Sequence, residues 1–345
     1  MSAAPVSAPA IAGLLDTLSR RGLTGEESFR VFSGVVTGAF SEVEIAALLA
    51  ALKTRGEAPE AIAGAARALR EAALAFPRPP YAFADTCGTG GDGAQSVNIS
   101  TAAALVAAEL GIPVAKHGNR SISSRCGSAD VLEAVGVRLD PAPERARQCL
   151  DEVGLCFLFA PQYHAGVRHA MPVRKALATR TLFNLLGPLT NPGRPPWQML
   201  GVYDPAYCRP LAETLGLLGC ERALVVHGAG LDELAVHAPS RAALWRDGRV
   251  TELTVTPEEA GLRRHPLEAL RGGGPAENAQ WLRRLAAGDA EPAHLDAVAL
   301  NAGALAWMSG KSPTLADGVA AARETVLAGG AARRLERWAE CSHRA

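Results

Sequence analysis

No two of the seven cysteines stand as Cys-x-x-Cys; they are scattered at 87, 126, 149, 156, 208, 220 and 341, and their number is odd. That spacing supports neither a disulfide framework nor a structural zinc site. Excess charge of either sign is also missing, because Lys+Arg and Asp+Glu are both 35. A protein built to coat nucleic acid or an acidic membrane carries a basic surplus, so both classes are disfavoured. No stretch offers the roughly 18 uninterrupted apolar residues of a membrane-spanning helix. The opening Met-Ser-Ala-Ala-Pro-Val-Ser-Ala-Pro lacks the basic flank and apolar run of a secretory signal. These absences point to a reducing cytoplasm. What is abundant is apolar: 48% of the 345 residues are hydrophobic and 20% charged, enough for two domains with a substantial core.

The first 75 or so residues read as helical. Thr24-Gly-Glu-Glu27 and Ser41-Glu-Val-Glu44 have capping-box spacing, each followed by apolar residues at helical period. Ile45, Leu48, Leu49 and Leu52 form one stripe, suited to internal core or to a subunit interface; Gly56 suits a C-cap and Pro59 the first turn of another helix. Phe76-Pro-Arg-Pro-Pro80 is a linker. Beyond it the rhythm changes. Strands are expected at 82–86, 113–116, 155–160, 199–203 and 223–227, and helices at 100–110, 128–135, 141–153 and 205–218. Such alternation predicts an α/β domain with a mainly parallel sheet flanked by helices.

Asp85-Thr-Cys-Gly-Thr-Gly-Gly-Asp-Gly93 follows the first of these strands. Gly88, Gly90 and Gly93 have the G-x-G-x-x-G spacing of a dinucleotide-binding turn. That reading needs a helix opening directly at the third glycine and an acid about 20 residues later for ribose hydroxyls. The helix instead begins near Ser100, and the second strand ends in Lys116-His-Gly-Asn-Arg120. Lysine and arginine at that position favour additional anion. Asn98, Ser100 and Thr101 suit simple helix capping, but with the glycine loop they also supply donors for phosphate oxygens. Ser121, Ser123, Ser124 and Ser128 add more. A multiply charged phosphate usually travels with magnesium, which takes carboxylate oxygens. Asp232-Glu233 follows a later strand, and Asp92 ends the glycine cluster; either could hold metal, and Asp92 could equally accept ligand hydroxyls. Cys126 has no identifiable base partner and reads as a bystander thiol.

Five segments then appear in order: Asp85–Asp92, Asn98-Ile-Ser-Thr101, Lys116–Arg120, Gly127-Ser-Ala-Asp-Val-Leu-Glu-Ala134 and Arg180-Thr-Leu-Phe-Asn-Leu-Leu-Gly-Pro-Leu-Thr-Asn-Pro192. Together they closely resemble the anthranilate phosphoribosyltransferases of tryptophan biosynthesis, and the likeness spans nearly the whole chain, Gly272-Gly-Gly-Pro-Ala-Glu-Asn-Ala279 included. The resemblance implies a small helical domain (1–76, with a returning segment at about 171–192) that forms a homodimer. It also implies a larger α/β domain (81–170 and 193–345) that binds the sugar phosphate. The implied reaction moves phosphoribose from phosphoribosyl diphosphate to the amine of anthranilate, with magnesium and release of pyrophosphate, and involves neither nucleic acid nor membrane. Residues implied for the donor are Gly88, Gly91, Asp92, Ser96, Asn98, Ile99, Ser100, Thr101, Lys116, His117, Gly118, Asn119, Arg120, Ser121, Ile122, Ser123, Ser124 and Ser128. Those implied for anthranilate are Gly88, Asn119 and Arg174, with His117 and His164 nearby; those for metal are Ser100, Asp232 and Glu233. None is implied as an acid or base.

Two departures from the family stand out. A His-Pro-Ala-Met-Lys run is replaced by His164-Ala-Gly-Val-Arg168, where Gly166 is expected to loosen the loop on the anthranilate side. Ala178 follows Leu177 where the family usually has glycine. Two alternatives are weighed. A pyrimidine-nucleoside phosphorylase would share the architecture, but its lysine-serine signature is missing. A non-catalytic nucleic-acid-binding relative should be basic.

Overall fold

The computed structural model describes residues 9–121 and 125–344. Ile122, Ser123 and Ser124, assigned above to the donor site, lie outside the described residues. Four helices open the chain: α1 (Ile11–Arg20), α2 (Gly25–Thr37), α3 (Glu42–Arg55) and α4 (Pro59–Glu71). Both capping boxes form. Thr24 Oγ1 accepts from Glu27 N while Glu27 accepts from Thr24 N, and Ser41 and Glu44 repeat the exchange. Each box satisfies helix-end donors that would otherwise have no partner. Ile45, Leu48, Leu49 and Leu52 are buried within the protomer, so that stripe is internal core.

The remaining chain alternates. It runs β1 (Ala84–Gly88), α5 (Ile99–Glu109), β2 (Val114–Gly118), α6 (Ser128–Ala134), α7 (Pro143–Val153), β3 (Leu155–Phe159), α8 (Ala160–Tyr163), a 3-10 turn (Ala165–Ala170), α9 (Met171–Leu177), α10 (Leu182–Leu189), β4 (Trp197–Gly201), α11 (Cys208–Leu217), β5 (Arg222–His227), β6 (Ser240–Arg246), β7 (Arg249–Val255), α12 (Pro275–Ala286), α13 (Pro292–Ser309), α14 (Leu315–Leu327) and α15 (Ala331–His343). The strands form one seven-stranded sheet in the order β3-β2-β1-β4-β5-β6-β7. β3 to β5 pair in parallel, and β6 and β7 continue antiparallel. The order reverses between β1 and β4, where parallel sheets open a ligand crevice at their carboxyl ends.

The strand bounds shift from expectation by one or two residues. β1 and β2 start two and one residues later and run two further, β3 ends one earlier, β4 lies two earlier at both ends, and β5 starts one earlier. Glycine explains the longer ends of β1 and β2: Gly88 pairs with Gly201 and Gly118 with Phe159, so two glycines outside the expected strands are the last rungs of the ladder. The β6–β7 hairpin lies outside the strands expected above. Its turn, Asp247-Gly248, has φ of 52° and 75°, the left-handed pair of a tight hairpin.

Two apolar cores flank the sheet. One packs α5 and α13 against β1 to β3 and β5. The other runs without interruption from α1–α4 through α10 to α11 and the opposite face of β4 and β5, so helical and α/β parts share a core. All seven cysteines are free, and Cys149 and Cys341 bring their sulfurs within 3.1 Å of each other where α15 packs on α7. No helix among the described residues is long and apolar enough to cross a membrane.

Ala178 caps α9 with φ 46° and ψ 31°. A Cβ in that left-handed region costs about 1–2 kcal/mol, partly offset by the greater freedom of an unfolded glycine. Ala178→Gly should therefore stabilise the protein by about 0.5–1 kcal/mol in urea unfolding; a lower midpoint would show that the strain is not borne there.

Candidate active site

The loop after β1 is shaped by glycine. Gly90, Gly91 and Gly93 take φ of 62°, 76° and 79°, left-handed angles that glycine adopts without strain, and the bare backbone at Gly90 and Gly91 suits an anion. Gly88 serves differently. A Cβ there would stand 2.2 Å from Asp232 Oδ2, so only glycine lets the Asp232 loop close over the strand end. At the facing rung, a Cβ on Gly201 would stand 1.4 Å from the Asp232 carbonyl oxygen. Gly118 has no room either, since its Cβ would meet Ser128 Oγ at 2.4 Å.

Asp232 and Glu233 follow β5, and the fold brings Asp92 to them. Ligand oxygens of the three lie within 4.8 Å of one another. Asp232 Oδ2 accepts from Gly90 N at 2.6 Å, and Asp92 Oδ2 accepts from Asp232 N at 3.4 Å. Glu233 Oε2 is shut off from solvent and has no hydrogen-bond partner among the described residues. A cavity of about 10 Å³ between Thr86, Gly88, Ser100, Asp232, Glu233 and Asn301 is the size of one water position. Burial, then the charge of Asp92, pushes Asp232 up to about 6. Burial, then Asp232 and Asp92, holds Glu233 well above the usual carboxylate range. Hard oxygen donors, an enclosed carboxylate oxygen and mutual repulsion fit a divalent cation such as magnesium.

That arrangement has a pH signature. Folded, these carboxyls hold protons more tightly than they do unfolded, near pH 4. The stability their protonation contributes is lost as pH rises through the folded value, about 6 for Asp232. A cation must displace those protons. Magnesium should therefore raise the melting temperature more at about pH 7.5 than at about pH 5. The buried histidines titrate with opposite sign, so the magnesium-induced difference is the quantity to compare. An equal difference at both pH values would contradict the cation site.

The other predicted donor residues surround this cluster. Lys116 is buried beneath the loop, donating to the Thr86 carbonyl and reaching Ser100 Oγ at 3.3 Å. It is countercharge under the floor, not an exposed cation at the strand's end. Arg120 is exposed, but its guanidinium grips Glu133 through two bonds and Asp130 through one. Asn98 occupies the N-cap position of α5 without capping it. Ser96 bridges to Arg271, Ile99 is core, and Thr101 is buried with no partner for its hydroxyl among the described residues. Asn119 turns the chain, its Oδ1 accepting from Arg120 N; Ser121 N donates to Asp130 Oδ2. Cys126 is pushed up to about 11, mainly by burial, which removes it as a nucleophile at neutral pH.

Histidines form a second group. His117 and His164 meet edge to face with ring centroids 5.2 Å apart, both buried. Burial is the main reason that His117 is held well below its ordinary value and His164 lowered to about 4, so both are neutral at pH 7. His117 Nδ1 lies 3.0 Å from the Gly187 carbonyl, which can only accept; the ring proton is therefore on Nδ1, and Nε2 offers a lone pair. Arg174 is half-buried 5.2 Å above the Phe183 ring, with no ion pair among the described residues. Arg174 and His117 both touch α10, one over the Phe183 ring and the other at the Gly187 carbonyl. Gly166 does not loosen its loop. A Cβ there would meet the Val36 carbonyl oxygen at 2.5 Å, so this glycine lets the 3-10 turn seat tightly on α2.

Several residues here had no predicted role. Asp85, fully buried, accepts from His117 N and from Asn191 Nδ2, and burial pushes it up to about 6. Arg180 stacks 4.1 Å from the Tyr203 ring and donates to Gly91 O, while Lys53 of α3 donates to the Arg180 carbonyl. Asn301 of α13 holds Leu234 through both of its backbone groups, pinning the Asp232-Glu233 loop. Asp85 and Arg180 stand in the segments that carry the family resemblance; for Asn301 the only signal was an asparagine within an apolar helix.

Residues 9–73 match the glycosyl transferase family, helical bundle domain, and residues 80–332 match the glycosyl transferase family, a/b domain. The anthranilate phosphoribosyltransferase of Sorangium cellulosum is 60% identical over 320 residues, covering 93% of this chain and 92% of that relative. The crystal structure of anthranilate phosphoribosyltransferase from Thermus thermophilus superposes with a TM-score of 0.90 at 48% identity, covering 96% of this chain and 99% of that one. The enzyme from Saccharomyces cerevisiae in complex with PRPP and Mg superposes with a TM-score of 0.87 at 25% identity, covering 96% and 97%. The chain belongs to the anthranilate phosphoribosyltransferase family.

Proposed function

We infer that the glycine loop and the acidic cluster are two halves of one diphosphate site. The protein transfers the phosphoribosyl group of phosphoribosyl diphosphate to the amine of anthranilate, releasing pyrophosphate, in tryptophan biosynthesis. The observation that carries this reading is the convergence of Asp92, Asp232 and Glu233 on the loop at the point where the strand order reverses.

Cleavage of the ribose C1–O bond leaves positive charge on the sugar and negative charge on the departing diphosphate. Gly88, Gly91, Ser96, Asn98, Ser100 and Thr101 bound the space for that diphosphate, and the loop backbone with the Ser100 hydroxyl donates where charge develops. Ser100, Asp232 and Glu233, with Asp92, would hold magnesium, which when bound supplies charge neutralisation of the diphosphate oxygens. Lys116 offsets the buried carboxylates from below. On the acceptor side, the aromatic amine is already neutral at pH 7, so attack needs no strong base. His117 and His164 shape the acceptor side, and the low basicity of His117 suits it poorly to removing the proton. Arg174 pairs with the carboxylate of anthranilate in a two-bond geometry that lysine reproduces poorly.

Arg174→Lys should raise the KM for anthranilate about tenfold or more and leave that for the sugar donor within about twofold. Unchanged anthranilate kinetics would remove Arg174 from the acceptor site. The reaction itself is tested by loss of anthranilate fluorescence on addition of phosphoribosyl diphosphate and magnesium. Turnover of a pyrimidine nucleoside with inorganic phosphate instead would favour the phosphorylase reading.

The unit boundaries are placed at 1–76 with a return at about 171–192, and at 81–170 with 193–345; packing of α9 and α10 on α3 supports the return. A homodimer through the helical unit would cover Val43, which is 79% exposed on α3. Seven free thiols agree with a reducing cytoplasm.

A further inference from the structure

Three segments far apart in sequence meet behind the glycine loop, and asparagine amides join them. Gly273 N donates to Asn278 Oδ1 at 2.8 Å. Asn278 Nδ2 donates to Asn98 Oδ1 at 2.9 Å. Asn98 Nδ2 donates to the Cys126 carbonyl at 3.2 Å. Asn278 is 2% exposed, so water cannot substitute for its partners. The relay has one permitted direction. Gly273 N is a donor and the Cys126 carbonyl an acceptor, and these two ends fix the orientation of both amides between them. Flipping either amide sets donor against donor or oxygen against oxygen in a buried place.

The relay explains why Asn98 leaves α5 uncapped: its amide oxygen is taken by Asn278 Nδ2 and its amide nitrogen by the Cys126 carbonyl. It also gives a role to the Gly272-Gly-Gly-Pro segment. Gly272 N donates to Gln95 O and Val97 N to Leu270 O, so the turn before α12 is laced along the backbone that carries Ser96 to Asn98. A Cβ on Gly272 would meet Ser96 O at 2.8 Å. Asn278 thus fastens the end of the glycine loop to the segment leading into α6, and both border the space assigned to the sugar phosphate.

We propose that Asn278 is a positioning residue for the sugar-phosphate donor, holding the Ser96–Asn98 backbone and the Cys126–Ser128 backbone in register through Asn98. This rests on the donor site described under Proposed function. Asn278→Asp is the sharpest test, because it keeps the shape and the acceptor for Gly273 N but, when ionised, cannot donate to Asn98. While the carboxylate is ionised, the only rescue is an Asn98 flip, which turns its oxygen against the Cys126 carbonyl. A protonated carboxyl restores one donor, and burial raises the pH at which that happens.

With the full-length protein, Asn278→Asp should raise the KM for phosphoribosyl diphosphate about tenfold at about pH 8, leave that for anthranilate within about twofold, and recover as the pH is lowered towards 6. Asn98→Ala should do the same without the recovery, and the double variant should be no worse than the poorer single one. Amide exchange read without substrate should quicken at 94–98 and 126–129 together, while α14 is unchanged. An unchanged donor KM, or equal changes in both KM values with general quickening of exchange, overturns the proposal. Coupled quickening of the two segments with no turnover by the unsubstituted protein would instead overturn the reaction while keeping the relay.

Discussion

Replacing Asp232 by Asn and Glu233 by Gln together removes magnesium-dependent turnover while the protein melts at a higher temperature in the absence of metal. Both halves follow from the same geometry. Three carboxyl groups within 4.8 Å, one with an oxygen that has no partner among the described residues, oppose folding once ionised. Neutral amides of the same shape relieve that repulsion, and the amide oxygen introduced in place of Asp232 Oδ2 can still accept from Gly90 N. The cation, however, loses its ligands. Charge stabilisation at a leaving diphosphate is worth several kcal/mol, so kcat/KM should fall at least about a thousandfold. Steady-state assays across a magnesium titration and a metal-free melt check the two halves separately. Near-normal activity would remove the metal assignment; a lower melting point with lost activity would reduce the pair to scaffolding.

Gly88→Ala is expected to be nearly as damaging, although it adds only a methyl group. Gly88 is the last residue of β1 and has no left-handed backbone angle, so alanine can adopt its conformation. What it cannot do is fit, because its Cβ would lie 2.2 Å from Asp232 Oδ2 and 3.3 Å from the Asp232 carbonyl oxygen. Asp232 must move, and its bond from Gly90 N is lost. A displacement of that size at a charge-stabilising group costs about a hundredfold in kcat/KM. Gly93→Ala is the contrasting control. Nothing lies within 4 Å of its Cβ, but φ is +79°, so it should cost stability by about 1 kcal/mol with little effect on turnover. Equal activity losses in the two variants would show that backbone strain in the loop, not contact with Asp232, decides the result.

Gly88, Gly90 and Gly93 also mark where local sequence rules stop. The G-x-G-x-x-G spacing runs through Gly88, Gly90 and Gly93 alike, yet the three do different jobs: close approach, anion-facing turn, and turn alone. Spacing shows where glycines stand but not what lies 2 Å away. Local rules work where local chemistry decides, as in the Thr24 and Ser41 capping boxes. They stop at β7, for which no strand is expected: at the sheet edge Arg249, Thr251, Glu252 and Thr254 are exposed, so no apolar alternation marks it. Asp232 and Glu233 can be singled out only because a strand precedes them; that Asp92 joins them depends on a contact across 140 residues. Lys116 stands in β2 with its ammonium under the loop at the Thr86 carbonyl; pattern alone does not show which way a strand's side chain faces once both faces are buried. Asn98 and Asn278 carry no signal beyond turn and cap preference, since a relay of amides exists only once three segments have met.

A single magnesium-dependent site exchanges one anthranilate for one pyrophosphate, and paired product counting measures that ratio. Anthranilate consumed and pyrophosphate released should be measured in the same reaction, with and without magnesium. The expected result is one pyrophosphate for each anthranilate consumed, and neither without the cation. Anthranilate consumption without pyrophosphate, or undiminished turnover after removal of all divalent metal, would contradict it.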